Sequence, residues 1–232
     1  LPFWIKVKGM CQAFDSTDGE QREASLQDAG PVLRVIVGTS QLVEKDRALP
    51  SRISTLVNDA YQCHRLSEAE ARQRLAMGDA GSSANRVLHL ALREAELVGC
   101  CSSTFQPPWT NRGCGHWGLL AVDPTAQGTG VGSALIAAAE RRLFEGGCTS
   151  VQIEYEYTAG DVYSQRLADW YEGKCGFSSS TPRPRHGRAF RVCHKPLTAA
   201  SLAPEPPKTL QGLLPGLRER PDASKAGCCA VL

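Results

Sequence analysis

The stretch LLAVDPTAQGTGVGSALIAAAERR, residues 119–142, sets Gly128, Gly130 and Gly132 at alternating positions between an apolar run and an amphipathic one. Residues without a Cβ let a ligand come close to the backbone, and the first amides of a helix are unpaired donors at the positive end of its dipole. Together they form an anion site, for which phosphate is the natural guest. A nucleotide-triphosphate loop needs Gly-Lys-Ser/Thr, but Ser133 follows Gly132 directly, with no lysine. A dinucleotide fingerprint, Gly-x-Gly-x-x-Gly, fails as well: counted from Gly128 its last position is Ser133, and from Gly130 it is Leu135.

The elements around the glycines must place them. HWGLLAV, 116–122, is an apolar strand that Asp123-Pro124 stops, since proline cannot continue a ladder. From Val131, the residues Leu135, Ile136, Ala139 and Leu143 share one helical face as far as Gly146-Gly147. The glycines therefore sit at a strand-to-helix junction. Upstream, VLRVIVG (32–38) predicts a strand, and Ile53, Leu56, Val57 and Tyr61 predict a helix that Pro50 interrupts early. LSEAEARQRLAMG predicts a second helix, with Ser67 as cap, Glu70 closing a capping box and Gly78 as stop. RVLHLALRE and AELVGCCSSTF predict a hairpin turning at Glu94, followed by the loop QPPWTNRGCG with an exposed Trp109. Beyond the central helix, TSVQIEYEY, GFSSS and GRAFRVCHK read as strands and SQRLADWYEGKC as a helix.

Gln127-Gly128-Thr129-Gly130-Val131-Gly132 resembles the [Gln/Arg]-x-x-Gly-x-[Gly/Ala] signature of the GCN5-related N-acetyltransferase (GNAT) superfamily, placed as that family has it, after a strand ending Val-x-Pro. The resemblance runs over about residues 31–197 and takes in WYEGKCGF, which is similar to the family's Tyr-bearing Gly-Phe segment. It implies an α/β fold, a central mixed, mostly antiparallel sheet with flanking helices. It also implies an enzyme that moves the acetyl group of acetyl-CoA to a primary amine by direct attack, without a metal. By the resemblance, Gln127, Gly128, Thr129, Gly130, Val131, Gly132 and Ser133 would hold the pyrophosphate. Leu120, Ala121 and Val122 would offer backbone hydrogen bonds to the pantetheine arm, and an amide of that strand would polarise the thioester carbonyl.

Acyl transfer to an amine also needs a base for the amine and a proton for the departing thiolate. The resemblance implies Tyr171 as the proton donor, although it stands five residues before Gly176 where the family's usual spacing is four. His116, opening the central strand, and Glu154, which shares one face of the next strand with Glu156, are the candidate bases. Cys114, on the loop before that strand, is the alternative nucleophile, with direct attack favoured. The acceptor, a small amine or a peptide or protein amine, is expected to meet QPPWTNRGCG and the turn bearing Arg183, Arg185 and Arg188, which could attract an anionic group.

Composition bounds the rest. The 232 residues, 42% hydrophobic and 22% charged, suit one globular domain with extensions. Residues 1–30 read as a flexible segment, 31–197 as the catalytic domain and 198–232 as a Pro-rich flexible tail. Basic and acidic residues, 26 and 24, are interspersed, which gives no footprint for nucleic acid. No apolar run approaches the roughly 18 residues of a membrane span. LPFWIKVKGM has neither a signal-peptide layout nor an initiator Met, which leaves room for an upstream targeting segment. The ten cysteines are scattered without a C-x-x-C pair, so reduced thiols and a cytoplasmic location are expected. Cys229-Ala230-Val231-Leu232 is similar to a prenylation box, and Cys228 could take a second lipid, so peripheral membrane association is a further expectation. A different class of function follows from these features: a CoA-binding module, catalytically degenerate and held at a membrane. The family's members are often homodimers.

Overall fold

The computed structural model describes residues 32–180, 182–185, 188–199 and 202. Segment 1–30, most of the tail and the lipidation candidates Cys228 and Cys229 lie outside the described residues.

Among the described residues, eight strands form one sheet: β1 (Leu33–Val37), β2 (Arg86–Arg93), β3 (Glu96–Thr104), β4 (Cys114–Val122), β5 (Ser150–Glu156), β6 (Ser178–Ser179), β7 (Arg183–Arg185) and β8 (Arg188–Pro196). Their order is β1-β2-β3-β4-β5-β8-β6, with β7 also on β8. All pairs are antiparallel except β4 with β5. This is the mixed, mostly antiparallel sheet the motif order predicts. The β2–β3 hairpin turns at Glu94, which takes the left-handed conformation at φ 58°.

Among the described residues, five α-helices flank the sheet: α1 (Ser40–Lys45), α2 (Leu49–Tyr61), α3 (Glu68–Met77), α4 (Val131–Glu145) and α5 (Val162–Ala168). Pro50 does not interrupt a helix, as the sequence reading expects. It lies in the first turn of α2, where a missing N–H costs nothing, and α1 is a separate helix before it. The α3 capping box forms as predicted, with the Ser67 hydroxyl accepting from the Glu70 amide and the Glu70 carboxylate accepting from the Ser67 amide. On α4 the expected face, Leu135, Ile136, Ala139 and Leu143, is buried. The α4 side of β4 receives Trp117, whose indole N–H reaches Glu140, and the α2 side receives His116.

β4 and β5 are joined only at Cys114↔Ser150 and Gly115↔Val151. Beyond those two positions β5 pairs along its whole length with β8, and the β5-facing edge of β4 has no described strand beside it. The two halves of the sheet thus open into a V. Behind the opening, Lys195 Nζ on β8, partly buried, lies 2.7 Å from Oε2 of the buried Glu140 on α4. Breaking such a pair by removing one partner costs about 3–5 kcal/mol, because it strands a buried charge.

Candidate active site

Opposite the V, β4 carries a bulge. Cys100 faces Ala121 and Ser102 faces Gly118, so Leu119 and Leu120 together oppose Cys101. Leu119 takes the left-handed conformation at φ 50°, which a leucine adopts only when the surrounding structure imposes it. The bulge turns the two leucines apart. Leu119 lines a pocket on the α2 side of the strand, and Leu120 lines a larger cleft beside α4 and α5.

The larger cleft, about 380 Å³, runs between the end of β4, the glycine loop and the segment after α5. Gly128 and Gly130 have φ of 76° and 87°, conformations that a residue with a Cβ adopts only under strain. Gly130 caps α4, and the first intrahelical bond is Ala134 N to Gly130 O at 3.0 Å. The amides of Val131, Gly132 and Ser133 therefore have no partner within the helix and form its positive end. The loop is tied down by the Gln127 side chain, whose Nε2 donates to Val122 O at 3.3 Å, and by the Thr129 hydroxyl, which donates to Ala126 O at 2.7 Å. Arg93 reaches Thr129 Oγ1 at 2.9 Å. On the facing wall, Arg166 and Lys174 bring positive charge and Trp170 an aromatic surface.

Tyr171 lies in that wall too. Residues Asp169–Lys174 form a π-helical turn, with Cys175 N bonded to Trp170 O at 2.9 Å. The wider turn absorbs the extra residue between Tyr171 and Gly176. Gly176, at φ 75°, then ends the segment in a left-handed cap. Glu172 anchors the turn by accepting from Tyr155 Oη at 3.1 Å and from Arg191 Nη1 at 2.6 Å. Tyr171 packs among Trp117, Tyr155, Trp170 and Phe177, and burial holds its hydroxyl well above the usual phenol range. It is protonated at any physiological pH.

The pocket on the α2 side brings His116 and Glu154 together. His116 Nδ1 is 2.8 Å from the Gln152 carbonyl across the V, an acceptor only, so Nδ1 carries the hydrogen and Nε2 keeps its lone pair. Burial lowers the imidazole's pKa, the bond to Gln152 partly offsets this, and the Arg86 charge lowers it further. The ring is neutral near pH 7. A Cβ on Gly118 would stand 3.0 Å from His116 Nε2, so the glycine keeps that nitrogen uncovered. Trp109, nearly half exposed, meets the imidazole edge to face at 5.9 Å.

The expected residues thus divide between two cavities. Leu120, Val122, Gln127, Gly128, Gly132 and Tyr171 line one; His116 and Glu154 line the other. Ala121 is buried in the ladder beside Cys100, and Val131 is buried under α4 with its amide at the helix start. Glu156 is outside the residues lining the pocket. Cys114 departs from expectation. It is the first residue of β4 and no loop residue, is buried, and lies 2.8 Å from the Ser150 hydroxyl at the closed end of the V. The backbone of Arg183, Arg185 and Arg188 forms the β7–β8 hairpin, and their side chains lie outside the described ones. Sequence reasoning missed Arg166, Trp170 and Lys174 in the cleft, and Tyr61, Arg65, Arg74 and Arg86 in the pocket. Four charged or aromatic residues on separate elements carry no shared spacing to find them by.

A strand that diverges from its neighbour, a bulge at the divergence and a glycine-capped helix facing it set an open backbone edge beside unpaired helix amides. The model of the acetyltransferase (GNAT) family matches residues 52–177, more than half of the chain. The chain belongs to that family. Solved structures agree in fold. A GNAT-family acetyltransferase from Streptococcus pneumoniae matches with a TM-score of 0.53 at 16% identity, over 72% of this chain and all of that one. The ribosomal-protein-alanine N-acetyltransferase of Brucella melitensis matches with a TM-score of 0.51 at 18% identity, over 71% of this chain and 99% of that one. The yncA protein of Salmonella typhimurium, solved with its cofactor acetyl-CoA, matches with a TM-score of 0.50 at 16% identity, over 72% and 95%. No curated protein sequence matches the chain significantly.

Proposed function

We propose that the protein is an N-acetyltransferase that uses acetyl-CoA and a primary amine, with direct attack of the amine. The observation that carries this reading is that β4 separates two cavities, one with a preorganised anion site and one with a neutral imidazole whose Nε2 is uncovered. The glycine loop amides and the cations Arg166 and Lys174 suit a pyrophosphate, and the open edge of β4 suits an extended amide-bearing arm. Bound acetyl-CoA supplies an acetyl thioester. His116 Nε2 takes the amine's proton, and its Nδ1–H to Gln152 O keeps the ring in the tautomer that can do so. An N–H of the bulge donates to the carbonyl oxygen as negative charge grows there. The Tyr171 hydroxyl, which lines the cleft, gives its proton to the leaving sulfur.

A thiol assay for CoA release, run with acetyl-CoA and a panel of amines on wild type, His116→Ala and Tyr171→Phe, tests this reading. Amine-dependent release that falls on the order of 100-fold or more in both variants is expected. Acetyl-CoA binding with no release from any amine would overturn it in favour of a degenerate carrier-binding module.

A further inference from the structure

The pocket on the α2 side holds more positive charge than a base and an amine require. Arg65, Arg74 and Arg86 line it, from the loop after α2, from α3 and from β2, against the single carboxylate of Glu154 among its described lining residues. Burial disfavours the charged form of Arg74 most, the charge of Arg86 adds to this, Glu70 offsets part of it, and Arg65 contributes a smaller repulsion.

The arrangement is built. Asn58 of α2 locks the loop that carries Arg65, accepting from the Arg65 amide at 2.6 Å and the Leu66 amide at 2.9 Å and donating to Leu66 O at 2.9 Å. Ser54 adds a second bond to Leu66 O at 2.7 Å. Arg86 Nε donates to Thr104 Oγ1 at 2.9 Å, which fixes the direction of its guanidinium. Between them stands Tyr61. It is 2% exposed, it lines the pocket, and its hydroxyl has no hydrogen-bond partner among the described residues. A buried hydroxyl left without a partner costs about 1–3 kcal/mol. An anion in the pocket would accept from it and relieve the repulsion among the arginines at once.

We propose, building on the acetyl-transfer reading, that the acceptor is a small primary amine that also carries a carboxylate, with the carboxylate held by Arg74, Arg86 and Tyr61 and the amine presented to His116. The free space is about 20 Å³, enough for one water. A ligand must therefore displace lining side chains as it enters. A short carboxylate does so while offering a charged acceptor to Arg74, Arg86 and the Tyr61 hydroxyl; a neutral alkyl chain does not.

The test is calorimetric titration of the CoA-saturated protein with glycine, β-alanine and 4-aminobutanoate, each against the alkylamine that lacks only the carboxylate: methylamine, ethylamine and propylamine. At least one carboxylate-bearing member is expected to bind tenfold or more tighter than its partner, as hydrogen bonds to a charged group allow. That advantage is expected to fall below threefold in Arg74→Met and in Arg86→Met, with CoA affinity unchanged as the control for folding. Equal or weaker binding of every carboxylate member overturns the inference. CoA release, measured separately, distinguishes the two readings. A carboxylate preference in binding with no release sinks acetyl transfer but leaves the anion site standing, and release that favours the neutral amines does the reverse.

Discussion

On its α4 side β4 borders a cleft with one wall of consecutive chain, from Leu120 and Val122 through the glycine loop to Gly132, and a facing wall of side chains between Tyr163 and Lys174. On its α2 side it borders a pocket made from side chains of α2, α3, β2, β3, β4 and β5. On the proposed acetyl-transfer reading, the difference has a chemical reason. A pyrophosphate and an amide-bearing arm are recognised by amides, which any residue supplies, so what the cleft constrains is conformation. An acceptor is recognised by side chains, so what the pocket constrains is identity and placement.

Four substitutions would break or sharpen that contrast. The largest effect is expected from His116→Ala, which should lower kcat on the order of 100-fold or more while leaving the affinity for CoA unchanged. The pH profile tests the same residue. Because burial depresses the imidazole's pKa, kcat/KM in wild type should hold down to pH values below the usual histidine range and then fall as Nε2 gains a proton. An acid limb that persists unchanged in His116→Ala would assign it to another group.

Gly130→Val addresses the other cavity. A β-branched residue at φ 87° carries strain of about 1–3 kcal/mol, so CoA affinity should weaken by roughly 10- to 100-fold by calorimetry. Wild-type affinity in this variant would contradict the backbone account of the cleft. Gly118→Ala is the subtler probe of the pocket. Its Cβ, 3.0 Å from His116 Nε2, should cost about tenfold in kcat, as expected for a base pushed from its working position, with CoA binding intact. Gly132→Ala should matter least. Its φ is ordinary and the new Cβ would meet Val122 Cγ2 at 3.8 Å, a normal contact, so CoA affinity should change by less than about threefold. A large loss there would mean that the ligand passes closer to α4 than the cleft suggests.

How far the sequence could be read follows from the same contrast. Ser67 and Glu70 announce the start of α3, and Gly146-Gly147 the end of α4, because caps are local chemistry. The glycine loop was legible for the same reason. Pro50 was misread because proline blocks a helix interior yet suits its first turn, and only the position of the start decides between the two. Cys114 was misread by two residues of strand boundary: Gly113 and Gly115 on either side look like loop, but Gly115 pairs with Val151. The left-handed Leu119 has no signal at all, since nothing in Gly-Leu-Leu-Ala marks one leucine as bulged.

By itself the sequence determined the local events: where helices begin and end, the alternation that puts His116 and Trp117 on opposite faces of β4, and a glycine loop at Gly128 and Gly130 that leads into the unpaired first amides of α4. Those depend on residues within one or two turns of each other. Only the tertiary structure decided that β5 leaves β4 after Gly115, that the Gln152 carbonyl sets the tautomer of His116, and that a π turn returns Tyr171 to the cleft wall. It also decided that arginines from three elements meet at Tyr61. Each of these pairs residues far apart in the chain, and their contact is fixed by how the elements pack, which no local spacing encodes.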